Sequence, residues 1–126
     1  MTRDKFIKYV EEHYSEKAER PFAKDQSIVV FRHSSNRKWF AVVMTIPKNK
    51  LEPNADGKID IVNVKCDQNV LYSMIQEQGI YRAYHMNKNH WLTFTLDERV
   101  DQETQQWLTG ISYDLTLPKI KNQSNS

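Results

Sequence analysis

Eight consecutive residues, Trp39-Phe40-Ala41-Val42-Val43-Met44-Thr45-Ile46, contain a single polar side chain. A run this short and this apolar, rich in aromatic and β-branched residues, reads as a strand buried on much of both faces. It is far too short to cross a bilayer, which takes about 20 apolar residues. No other stretch of the chain approaches that length either. A strand covered on both sides needs neighbours, and the rest of the sequence supplies them.

Ile28-Val29-Val30-Phe31 is a β-branched run preceding the central strand, from which the Ser34-Ser35-Asn36 turn cluster separates it. Behind the central strand, a connection from Pro47 to Lys58 contains two prolines and the turn dipeptide Asp56-Gly57. Ile59 to Lys65 is a third strand. Its apolar phase shifts between Ile61 and Val62, which predicts a bulge or burial on both faces. Ile80 to Ala83 is a short strand or extended link. Trp91 to Leu96 alternates, with Leu92, Phe94 and Leu96 on one side and Trp91, Thr93 and Thr95 on the other, the pattern of a strand with one wet face.

Three segments have the 3.6-residue period of helices. Thr2 is a suitable N-cap for the first, with Asp4 in its first turn and Phe6, Ile7, Val10 and Tyr14 on one face; an end is expected near Tyr14 or Ser15. Asp67 caps the second, which buries Val70, Leu71, Met74 and Ile75 and stops at Gly79. Asp101 caps the third, with Trp107, Leu108, Ile111 and Leu115 expected inward and Pro118 closing it. Gly110 marks a close packing contact or a kink there. The element order αβββαββα predicts an α+β domain, an antiparallel sheet with helices packed on it. A chain of 126 residues suits one domain, expected over 1–118, with 119–126 as a disordered polar tail.

The N-terminal Met1-Thr2-Arg3-Asp4-Lys5 is not followed by an apolar run, so no secretory signal is expected. The single cysteine, Cys66, leaves no intramolecular disulfide to form. Together these features predict a cytoplasmic location. The formal net charge is +2, modest for a nucleic-acid binder, but its distribution is uneven. Residues 21–66 carry eight lysines and arginines against four acidic side chains, whereas residues 1–20 balance.

Four patterns accumulate along the chain: Arg20-Pro21-Phe22, Val62-Asn63-Val64-Lys65-Cys66-Asp67, Tyr84-His85-Met86-Asn87-Lys88-Asn89-His90-Trp91, and Ser112-Tyr113-Asp114-Leu115. In this order and spacing they resemble the MmcQ/YjbR-like bacterial proteins, from about Arg3 to Leu117. The resemblance implies a compact α+β, frataxin-like (CyaY-like) sandwich. It also implies two β wings that have been compared with DNA-binding wings, and no catalytic activity common to the family. The chain has Asn89 where the family often has a basic residue, which removes a phosphate contact from that turn, and Ala83 where it often has Gly.

Two sites follow from these readings. The first is a basic hairpin surface for double-stranded DNA, formed by Arg32, Arg37, Lys38, Trp39, Lys48, Lys50 and Lys88, with Lys58 adding charge. The same cations also serve to keep edge strands soluble. The second is a ligand-binding or protein-binding turn formed by Tyr84, His85, Asn87, Lys88, His90 and Trp91; the alternative is a rigid structural turn. Tyr113 is expected to anchor the last helix through its ring. No metal or cofactor is expected, because His85 and His90 lack a nearby carboxylate. No enzyme is expected. Cys66, His90 and Asp114 would make a nucleophile, base and orienter, but no oxyanion motif accompanies them. The position of Cys66 just before a helix would lower its thiol pKa, although a buried, inert role is the usual one.

Overall fold

The computed structural model describes residues 1–119. From residue 120 on, the expected polar tail lies outside the described residues. The elements are α1 (Arg3–Tyr14), β1 (Val29–Arg32), β2 (Trp39–Pro47), β3 (Lys58–Lys65), α2 (Gln68–Met74), β4 (Ile80–Arg82), β5 (Trp91–Thr95) and α3 (Gln102–Thr116), with one 3-10 turn at Lys48–Lys50. The five strands form one antiparallel sheet in the order β1-β2-β3-β5-β4. The architecture is the expected α+β arrangement. No helix among the described residues is long and apolar enough to cross a membrane.

The helix starts follow from local chemistry. The side chains of Thr2, Asp67 and Asp101 accept from the backbone N–H groups of Lys5, Val70 and Thr104, satisfying donors that the first turn leaves unpaired. Ser15 closes α1 with φ 55°. The second helix is shorter than expected. It stops at Met74, and Gly79 (φ 81°) instead turns the chain into β4. A Cβ at Gly79 would lie 2.7 Å from Val100 Cγ2, so no larger residue fits there.

The main core lies between the sheet and the helices. Phe6 and Val10 of α1, Leu71 of α2 and Leu108 of α3 pack on Val43, Val62, Val64, Leu92 and Phe94. Residues β3 contributes to the opposite face, Ile59 and Ile61, are buried as well. The pairing of β2 with β3 runs without a bulge from Val42↔Asn63 to Pro47↔Lys58, so the phase shift at Ile61 and Val62 reflects burial on both faces. The irregular register falls in β1, between Phe31 and Arg32.

The third helix is rotated relative to the reading from apolarity. Trp107 and Leu115 are 51% and 45% exposed, and Ile111 is half-buried. The inward face is Gln105, Leu108, Thr109, Ser112 and Thr116. These polar groups are buried because each finds a partner. Gln105 Nε2 donates to the Val100 carbonyl at 3.0 Å, Thr109 Oγ1 donates to the Gln105 carbonyl at 2.8 Å, and Thr116 Oγ1 donates to the Ser112 carbonyl at 2.7 Å. At Gly110 an added Cβ would meet only Tyr14 Oη, at 3.4 Å, an ordinary contact distance, so the close packing expected at that glycine is not what the helix shows. Tyr113 anchors the helix as expected, its ring centroid 4.4 Å from Tyr14 and from His33 and 5.0 Å from Phe40.

His33, just after β1, is 1% exposed, with Nε2 2.8 Å from Thr116 Oγ1. Burial holds its pKa below the ordinary histidine value, outweighing the Tyr113 backbone and the Glu16 charge, which act the other way. The unfolded chain therefore takes up this proton more readily than the folded one. The stability that depends on neutral His33 is complete above about pH 6.5 and is lost as the pH falls below it, at most about 1.4 kcal/mol per pH unit. Urea midpoints between pH 7.5 and 5.5 are expected to fall in the wild type and to fall less in His33→Gln. Parallel curves for the two proteins would remove His33 from the account.

Candidate functional site

Alternation along the strands turns Val42, Met44, Ile46, Ile59, Ile61, Asn63, Thr93 and Thr95 away from the helices. No helix among the described residues covers this second face, yet most of it is buried. Thr93 and Thr95 are 0% exposed, so β5 has no wet face, contrary to its alternating pattern. Chain segments between the strands cover it. Leu51, from the connection after β2, packs on Ile46, Ile59 and Ile61, as do Met44 and Tyr84. That connection is fastened by Arg99, which pairs with the carboxylates of Glu52 and Asp97, while Tyr81 Oη donates to Glu52 at 3.0 Å.

A closed ring of hydrogen bonds fastens Tyr84. Its backbone N–H donates to Thr93 Oγ1 at 2.9 Å, the Thr93 hydroxyl donates to Asn63 Oδ1, and Asn63 Nδ2 donates back to the Tyr84 carbonyl at 2.8 Å. A buried asparagine and threonine are tolerated here because the ring satisfies them. The chain then reverses at His85, whose φ is 59°, and the rings of Tyr84 and His85 meet at 3.9 Å. A positive φ is uncommon for a residue other than glycine, and at this turn a histidine adopts it.

Where the covering segments fail to meet, a pocket of about 200 Å³ remains. Phe22 and Ile28 line one side, Trp39, Val42, Met44 and Asn63 of the sheet form the floor, and Tyr84, His85 and Met86 close the other side. Phe22 packs edge-on against Trp39 with ring centroids 6.1 Å apart. A depression of about 590 Å³ near Met1 and Asp101 is larger, but Thr2 and Asp101, which line it, are occupied in capping α1 and α3.

Of the expected ligand turn, only Tyr84 and His85 line the pocket. The other members hold the turn itself. Asn87 Oδ1 accepts from the Asn89 backbone at 2.9 Å, and Lys88 Nζ donates to the Ala83 carbonyl at 2.7 Å. The His90 carbonyl accepts from the Cys66 backbone at 2.9 Å, and Trp91 is half-buried opposite Lys65. Phe22, Met44, Asn63 and Met86 escaped the sequence reading. Asn63 alone left a signal, as a polar residue flanked by Val62 and Val64 in the part of β3 buried on both faces.

The basic residues do not form one surface. Arg32 Nε lies 3.2 Å from Glu19 Oε1, and its guanidinium sits 5.9 Å from the Trp39 ring centroid. Arg37 also reaches Glu19, at 3.9 Å, but its side chain is 62% exposed, and Lys38 beside it is exposed. Lys48, Lys50 and Lys58 lie at the opposite end of β2, a nine-residue strand that spans roughly 30 Å. Lys88 is turned onto its own loop.

Cys66 is 2% exposed, and burial, with the charge of Asp67, pushes its thiol up to about 11. The expectation of a lowered thiol pKa is thus reversed: desolvation outweighs the start of a seven-residue helix. Among the described residues, no group of three or more His, Cys, Asp or Glu side chains could hold a metal ion.

The YjbR family model matches residues 13–115. An uncharacterized Bacillus subtilis protein, YyaQ, is 35% identical over 117 residues, covering 92% of this chain and 98% of its own. A crystal structure of a Pseudomonas syringae protein superposes with a TM-score of 0.90 at 38% identity, covering 93% of this chain and all of that one. Deinococcus radiodurans protein DR2400 superposes with a TM-score of 0.63 at 27% identity, over 87% of this chain and 75% of its own.

Proposed function

The chain belongs to the YjbR family, and from that premise we propose that it is a cytoplasmic, non-enzymatic binding module for a small apolar ligand held between Trp39, Met44, Tyr84 and Met86. The observation that carries the reading is the pocket itself. On a sheet face otherwise sealed by its own loops, aromatic and thioether side chains surround an open concavity. Aromatic walls offer large contact areas at little entropic cost, and methionines adapt to the shape of a guest. Asn87 and Lys88 support the reading from behind, because a turn braced by its own hydrogen bonds keeps one wall of the pocket in place. The size suits a ligand of on the order of ten non-hydrogen atoms.

A fragment screen by thermal shift tests this. Saturation at a hundredfold excess over Kd stabilises the fold by about 2.7 kcal/mol. The expected result is a set of apolar ring compounds that stabilise the wild type but bind at least tenfold more weakly to Trp39→Ala, with Lys50→Ala unchanged. Equal stabilisation of wild type and Trp39→Ala would place the ligand elsewhere and sink the reading.

A second reading keeps double-stranded DNA as the partner. Exposed Arg37 and Lys38 at the tip between β1 and β2 favour it. With two cations at that tip, the logarithm of affinity should fall against the logarithm of salt with a slope of about −2. Fluorescence anisotropy of a labelled duplex, with Arg37→Glu/Lys38→Glu alongside, measures it. Affinity unchanged by the double variant would exclude the tip.

A further inference from the structure

Resting on the pocket reading above, we infer that the ligand is an uncharged ring compound carrying one carbonyl-type acceptor, which takes the second N–H of Asn63. Asn63 lines the pocket but is 0% exposed, with the Met44 thioether 3.9 Å from its amide nitrogen, so a guest reaches the amide by displacing that flexible side chain. The Asn63 amide nitrogen has two protons. One goes to the Tyr84 carbonyl at 2.8 Å, and the other has only Met44 Sδ, at 3.9 Å. A thioether is a weak acceptor, so this buried donor is under-satisfied. The amide cannot turn over to avoid the problem. The Tyr84 carbonyl can only accept, which fixes Nδ2 on its side, and the Thr93 hydroxyl then donates to Asn63 Oδ1 while accepting from the Tyr84 N–H. The second N–H is thereby left on the side of Met44, another pocket residue.

Charge is selected against. None of the lining residues bears a full formal charge with histidine neutral, and His85 is exposed. Arg32, beside the Trp39 wall, is engaged by Glu19. An anion would lose its hydration without gaining a cation, whereas a ketone or amide oxygen loses little and gains a donor. Phe22, Trp39 and Tyr84 favour a ring as the body of the ligand.

The test uses the whole chain and two probes of one shape, 1-indanone and indane, which differ by the carbonyl oxygen. Binding is read by calorimetry and by the amide resonances of the Asn63 side chain. The ketone is expected to bind roughly threefold to tenfold tighter and to shift the Asn63 side-chain resonances, which indane leaves in place. Met44→Leu conserves volume and removes the competing sulfur, so it should widen the preference for the ketone. Equal affinities, both weakened by Trp39→Ala, would overturn the acceptor inference and leave the pocket reading standing. A preference for the ketone without a response at Asn63, or one that Met44→Leu does not widen, also overturns it. Absence of binding by either probe at its solubility limit would bring down the inference and the pocket reading together.

Discussion

Ser112→Ala is expected to lower the unfolding free energy by about 2–4 kcal/mol, although it removes a single oxygen atom. The pairing of β2 with β3 ends at Val42↔Asn63. Two residues further on, Phe40 and Lys65 would face each other, but the Ser112 hydroxyl stands between them. The Lys65 N–H donates to Ser112 Oγ at 2.8 Å, and the same hydroxyl donates to the Phe40 carbonyl at 2.6 Å. One side chain of α3 thus replaces a rung of the sheet ladder and fixes the helix to two strands. Alanine leaves both backbone groups without their partner, each at about 1–3 kcal/mol, with Lys65 half-buried and partly relieved by water. A fall in Tm on the order of 10 °C, with an unchanged urea m-value, is the expected measurement. Ser112→Thr keeps the hydroxyl and should lose less. A loss under about 1 kcal/mol in Ser112→Ala would mean that the strands re-pair without the helix, leaving the serine as filler.

The same serine explains why the sequence misled at α3. Rotating a helix by one residue exchanges the set Trp107, Ile111, Leu115 for Gln105, Thr109, Ser112, Thr116, and an apolarity pattern favours the first. What favours the second is the demand of strand and helix carbonyls for donors, which no periodicity records. Strand β5 failed for a related reason, because threonines read as a wet face when no partner for their hydroxyls is visible. Features governed by nearest neighbours were legible: the caps at Thr2, Asp67 and Asp101, the central strand, and the turn after it. Charge was legible as a count but not as a surface. Glu19 answers Arg32 from across an isolated bridge, and one strand length separates Lys38 from Lys48. For the pocket, Trp39, Tyr84 and His85 stood out by residue type. Phe22, Met44 and Met86 became lining residues only through loops folding over the sheet, a tertiary event without a local signature.

Asn63→Leu is expected to cost a further about 2–4 kcal/mol relative to wild type and to do so with a local signature. Leucine fills the same space, so the loss is not a cavity. It is the opening of the ring that holds Tyr84: the Tyr84 carbonyl loses its donor and the Thr93 hydroxyl loses its acceptor. The segment from Ala83 to His90 should then open at a free energy below that of global unfolding. Hydrogen exchange at the Tyr84 N–H, which donates to Thr93 Oγ1, should accelerate more than at Val62 or Phe94 in the same sheet. Asn63→Asp separates polarity from packing. An ionised carboxylate at this buried position would still accept from Thr93 but would face the Tyr84 carbonyl with no proton to give. The folded state therefore holds that carboxyl protonated to a pH above the usual carboxylate range. Folded protein binds more protons than unfolded protein there, so its stability deficit against wild type should widen as the pH rises from 5 to 8. A deficit independent of pH would show that the amide proton toward Tyr84 contributes nothing, and that the turn is held by shape alone.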